Sequence, residues 1–253
     1  MKRISLPLFV AAAAIFAASC NKQDTTPLPS TDFVQVSFGY SLTTGAPMTK
    51  GSTGADLLAT LTPTDPLPLT LTNTATGKEY SVTTGQTIAL PLGTYSVVYE
   101  PTKPSDAFTF CAGVYLLNRP QLRVNTEITL SKDETKYTIP AEYAEAALLF
   151  STREVSVVMM KSAAGTSYNP DYAIVGDIGA LFIHGTDERE IPLVFTAKNG
   201  YNNASLSINT TDPTSPYFVQ AGYWYALSLA RASQNAAFSF GELSWQEGSP
   251  FIM

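Results

Sequence analysis

From Phe33 onward, apolar and polar residues alternate in short runs. FVQVSFGYSL sets Val34, Val36 and Phe38 on one face and Gln35 and Ser37 on the other. A period of two predicts strands with one buried face. PLPLTLTN sets Leu69 and Leu71 against Thr70 and Thr72, turns through ATGKE and continues into YSVTT. In TIALPLGTYSVVYEP, Tyr95, Val97 and Tyr99 alternate with Ser96 and Val98. Further strands are predicted at AFTFCAGVYLL, QLRVNTEITLS and TKYTIPA. The stretch AEYAEAALLF fits either one or two helical turns or a strand, and a domain junction is expected near it.

The second half repeats this grammar. Strands are predicted at EVSVVMMKS, ALFIHG, EIPLVFTAK, NASLSINTT, YFVQAGYWYALSLA and AAFSFGELSW. No long stretch keeps an apolar period of 3.6. Short strands between Gly, Pro and Asn turns point to an all-β protein of sandwich type. The expected layout is two tandem β-sandwiches of immunoglobulin or transthyretin type, at 33–143 and 144–253.

Ahead of them the pattern changes. Lys2 and Arg3 precede an apolar run from Ile4 to Ser19, too short for the roughly 20 residues a spanning helix needs and interrupted by Pro7. A positive start, a short apolar core and small residues before a cut mark a cleaved secretory signal over 1–19. Ala17-Ala18-Ser19-Cys20 resembles a bacterial lipobox, with Ala where that motif carries Leu three places before the cysteine. The resemblance implies cleavage between Ser19 and Cys20 and acyl chains, palmitate among them, on Cys20. Two or three chains give firm attachment where one does not. The protein is then anchored by lipid to an outer-membrane leaflet at the cell surface. NKQDTTPLPSTD reads as an extended tether completing 20–32.

Composition agrees. Charged residues make up only 14% of the chain, and cleavage of the leader, with Lys2 and Arg3, takes the net charge from −6 to −8. An acidic chain without clustered Lys and Arg has no electrostatic footprint for nucleic acid. With Cys20 lipidated, Cys111 is the remaining cysteine; its apolar setting predicts a small core residue. Two N-glycosylation sequons, at Asn203 and Asn209, carry little weight in a bacterial chain.

The lipobox, the segment LTLTNTATGKEYSV, the phrase IALPLGTYSVVYEP and the late pair AGYWYALSLA with GELSW together resemble the fimbrillin-type surface lipoproteins of Bacteroidetes. In LPLGTY, Leu90 and Leu92 pack inward, Pro91 ends one strand and Gly93 frees the turn before Tyr95. The resemblance implies a structural or accessory component of adhesive fimbriae, joined to other subunits by β-strand addition. It also implies a maturation protease that cuts after a basic residue beyond the first strand. Lys50, in APMTKGSTG, is the candidate; the competing reading is an ordinary solvated loop lysine.

Chemistry is sparse. His184, in ALFIHGTDERE, is the one histidine; Asp187, Glu188 and Glu190 follow it in what reads as a polar turn. There is no G-x-S-x-G, H-E-x-x-H, P-loop or EF-hand spacing. Zinc would need more His and Cys ligands. Paired carboxylates for glycoside hydrolysis are not selected by any spacing. A non-enzymatic protein without metal or cofactor is expected. The alternative function is glycan binding by exposed aromatics, with Trp224 and Trp245 as stacking candidates. Along YWYALSLA, Tyr223 and Tyr225 turn inward, and Trp224 lies on the mixed face with Ala226 and Ser228. The competing reading puts the whole aromatic group in the core of the second sandwich.

Overall fold

The computed structural model describes residues 32–42, 60–111, 113–161, 165–186 and 190–231, and the backbone of 238–244. The described residues from Phe33 onward belong to one compact unit. Eighteen strands run through the described residues. The first nine are β1 (Phe33–Leu42), β2 (Pro68–Asn73), β3 (Glu79–Thr83), β4 (Thr87–Pro91), β5 (Gly93–Tyr99), β6 (Phe108–Cys111), β7 (Val114–Leu117), β8 (Leu122–Leu130) and β9 (Lys136–Tyr143). The rest are β10 (Ala146–Ser151), β11 (Val155–Lys161), β12 (Ser167–Tyr168), β13 (Ala173–Val175), β14 (Ile178–Gly185), β15 (Ile191–Ala197), β16 (Ala204–Ile208), β17 (Tyr223–Leu229) and β18 (Phe238–Ser244). The all-β expectation holds.

The strands form three sheets. The first runs β3-β2-β5-β8-β9-β1-β4, the central one β18-β17-β10-β14-β7-β6 with β13 beside β14, and the third β12-β11-β15-β16. Within the first sheet, β8 and β9 share only the pairs Leu122↔Tyr143 and Arg123↔Glu142, while β1 lies parallel to β9. Strands on both sides of that narrow link feed one core, including Val36, Phe38 and Ile139 with Leu71, Val97 and Val124.

The central sheet belongs to two cores. Tyr115, Leu117, Ala147, Leu149, Phe182 and Trp224 join the core of the first sheet. Their strand neighbours Val114, Leu116, Leu148, Leu181 and Tyr225 join the core of the third sheet. Successive side chains on a strand point to opposite faces, so a sheet buried on both sides needs apolar residues at every position. That explains why VYLL, AALLF and ALFI are unbroken apolar runs.

Three stretches take their places accordingly. AEYAEAALLF is strand: the end of β9, a two-residue connection and β10. AFTFCAGVYLL is a hairpin, β6 and β7, with Gly113 at φ 79° in the left-handed region that favours glycine. The boundary drawn at 143/144 marks a place where the chain crosses between sheets, but β6 and β7 precede it and lie in the central sheet with β14.

Candidate functional site

Three segments carry the chain between the first and central sheets: 100–107 after β5, 118–121 after β7, and 144–145 after β9. They are tied together around Gln121. Its side-chain amide donates to the Thr102 carbonyl at 3.1 Å, and its backbone carbonyl accepts the Ala144 N–H at 3.0 Å. Its backbone N–H donates to Glu145 Oε2 at 2.7 Å. Arg119 grips Asp106 through two guanidinium nitrogens at 2.7 and 3.0 Å, linking the first two crossings again. The bidentate geometry aligns both donors with both carboxylate oxygens.

Glu145 is fully buried. Extending the β10–β14 register by one step sets it opposite His184, and His184 is paired with Tyr115 on β7. Tyr115, His184 and Glu145 thus form a row across the end of the central sheet, on the face turned to the first core. The His184 ring stacks on Tyr115 with centroids 4.4 Å apart and planes 9° from parallel. His184 Nδ1 lies 3.6 Å from Glu145 Oε1, an ion-pair distance slightly longer than a hydrogen bond. Neither atom has a hydrogen-bond partner, and the same is true of the buried Trp224 Nε1.

Burial pushes the Glu145 carboxyl above the usual carboxylate range, against the opposing pull of His184, the Gln121 N–H and Arg123. The Tyr115 phenol is pushed up to about 12 by burial, with the charges of Glu145 and Glu100 adding to it. Tyr99 is raised by burial and by Glu145.

The sequence pattern pointed elsewhere. His184 sits with a carboxylate, but with Glu145, 39 residues earlier, rather than with the acids of GTDERE. Glu145 was missed; the available signal was a carboxylate interrupting an apolar stretch, AEYAEAALLF. Trp224 is corrected: it is 6% exposed and belongs to the first core, so it presents no face for a sugar. Its mixed neighbours Ala226 and Ser228 suggested a surface, whereas the first sheet's core reaches that side of β17. Cys111 is half-buried and packs against the second core. Ser19, Cys20, Lys50, Trp245, Asp187 and Glu188 lie outside the described residues. Among the described residues no group of three or more His, Cys, Asp or Glu could hold a metal ion. A shallow groove of about 340 Å³ on the third sheet, lined in part by Ser156, Asn169, Asp171 and Tyr172, is separate from the buried row.

No family model matches the chain, and no curated protein matches it. Among solved structures, it is similar to a candidate cell adhesion protein from Bacteroides uniformis, at 14% identity over 85% of this chain and 99% of that one, with a TM-score of 0.45. It is similar to a fimbrial assembly protein from Parabacteroides distasonis, at 12% identity over 88% and 100%, with a TM-score of 0.44. It is also similar to the tip fimbrial protein Mfa3 from Porphyromonas gingivalis, with C-terminal truncation, at 8% identity over 84% and 98%, with a TM-score of 0.41. The fold assignment rests on the strand pairings themselves.

Proposed function

We propose that the protein is a cell-surface structural or accessory subunit of adhesive fimbriae, held to the outer membrane by lipid on Cys20 and joined to other subunits through its sheets. The observation that carries this reading is the layout of the chain. A lipobox-like cysteine and a polar, proline-bearing tether lead directly into an all-β body whose central sheet is buried on both faces. Such a body presents strand edges, which are the usual means by which β subunits join. The glycan alternative loses Trp224 to the core.

Proteinase K added to intact cells tests it. The wild-type protein should be digested from outside and should partition into detergent; Cys20→Ala should move it to the aqueous phase. Survival in intact cells with digestion only after lysis would overturn the surface assignment. Sheared appendages should carry the protein in SDS-resistant multimers, and a purely monomeric band there would reject the fimbrial role while leaving the anchor standing.

A further inference from the structure

The second and third crossings meet at one buried carboxylate, with the first tied in through Gln121, and that carboxylate has a titratable partner at 3.6 Å. Glu145 Oε2 is occupied by the Gln121 N–H, and the Glu145 carbonyl accepts the Gly222 N–H at 2.9 Å, which ties the start of β17 to the same point. Oε1 is left facing His184 Nδ1, both without a hydrogen bond. The His184 side chain is 20% exposed, whereas Glu145 is not exposed at all. We propose that Glu145 and His184 are a proton-operated clasp on the junction between the first and central sheets. With one proton on the pair the three crossings are held together, and when it leaves they loosen.

The physical reason is charge compensation. With one proton shared, the pair is either a carboxylic acid beside a neutral imidazole or a carboxylate beside an imidazolium, and neither leaves net charge in the core. Once that proton leaves, the imidazole can still donate from Nδ1, but a buried anion remains uncompensated, which is costly in a low-dielectric setting. The other charged or titratable groups facing the site do not replace the proton. Tyr115 and Tyr99 are neutral through the physiological range, Glu100 adds negative charge, and Arg123 is engaged by Glu142 at 3.3 Å. The sign follows from linkage. Glu145 in the folded state holds its proton more tightly than the ordinary carboxylate value of 4.5 in the unfolded chain. The native state therefore binds more protons in that window, and stability at the junction falls as pH rises through it.

Amide hydrogen exchange on the full chain, corrected for intrinsic rate and followed from about pH 5 to 8, tests the clasp. Protection of the Gln121, Ala144 and Gly222 amides should fall with rising pH relative to amides paired between β2 and β5, whose protection should stay level. Glu145→Gln, which keeps the acceptor for Gln121 and cannot ionise, should flatten the profile. His184→Gln should displace its midpoint. Equal pH response at junction and β2–β5 amides in the wild type would overturn the proposal, and that reading needs no variant to fold. A wild-type-like profile in Glu145→Gln would overturn it as well.

Discussion

The first sheet and the central sheet are made of the same kinds of residue and use them differently. In β2 and β9, buried positions alternate with more exposed ones, and Leu69 and Leu71 flank Thr70. In β7 all four residues are buried, and in β10 the first five are. A strand with one wet face announces which side is the core. A strand between two cores has no wet face, and its apolar run fits a buried helix as well as a buried strand. The difference teaches that alternation measures how many faces are covered, rather than whether a strand is present.

Adjacent substitutions test this most severely. In β10, Leu148 serves the third sheet's core and Leu149 the first sheet's, and both are buried. Leu148→Ala and Leu149→Ala should each lower unfolding free energy by about 2–5 kcal/mol in urea titration. In β2, Leu71→Ala should fall in that range while its exposed neighbour Thr70→Ala stays within about 0.5 kcal/mol. A small effect at either β10 leucine would mean that one face of the central sheet is not covered.

The same contrast sets how much could be read from the chain. The face carrying Val34, Val36 and Phe38, and the inward Leu90 and Tyr95, are visible in the sequence because Gln35, Ser37 and Ser96 mark the other side. The helix-or-strand ambiguity of AEYAEAALLF and the placing of β6 and β7 were not resolvable locally. Both depend on which sheet supplies the second cover, and that is a long-range fact. The choice for Trp224 between a stacking face and the core turns on the same long-range fact. On that face of β17, Trp224 is buried and Ala226 half-buried against the first core while Ser228 stays exposed, so the face is covered at one end and open at the other. The Glu145–His184 pairing spans two strands, and no spacing rule brings them together.

Close packing on the central sheet gives a second, smaller test. Gly179 is buried on β14, and a Cβ there would lie 2.3 Å from the Phe150 ring. Its backbone is not in the left-handed region, so any penalty of Gly179→Ala comes from crowding. Overpacking of this kind costs about 1–3 kcal/mol. Gly39 on β1 has nothing within 4 Å of its Cβ position. Gly39→Ala should therefore be neutral or slightly stabilising, because alanine restricts the unfolded chain. Thermal melts of the two variants should move apart, Gly179→Ala downward. Coincident melts would show that Phe150 yields without cost and that the central sheet is packed no tighter than the first.

The smallest expected effect belongs to a turn of the first sheet. Asn73 Oδ1 accepts the N–H groups of Ala75 and Thr76 at 3.1 and 3.0 Å, and the Thr76 hydroxyl at 3.1 Å. The chain then turns back through Gly77 at φ 69° into β3. An Asn side chain mimicking a backbone acceptor is how such turns close. Asn73→Ala removes one acceptor and leaves its donors to water on an exposed turn, so it should cost about 1 kcal/mol. Asn73→Asp keeps the acceptor but places a charge on a buried side chain and removes the amide that faces Tyr95, so it should not restore the wild-type stability. Because β2 and β3 form the open end of the first sheet, hydrogen exchange in Asn73→Ala should rise in β3 and leave β10 and β14 unchanged. Spread of that loosening to the central sheet would mean that the two regions share one cooperative unit, and that the clasp at Glu145 couples them rather than merely joining them.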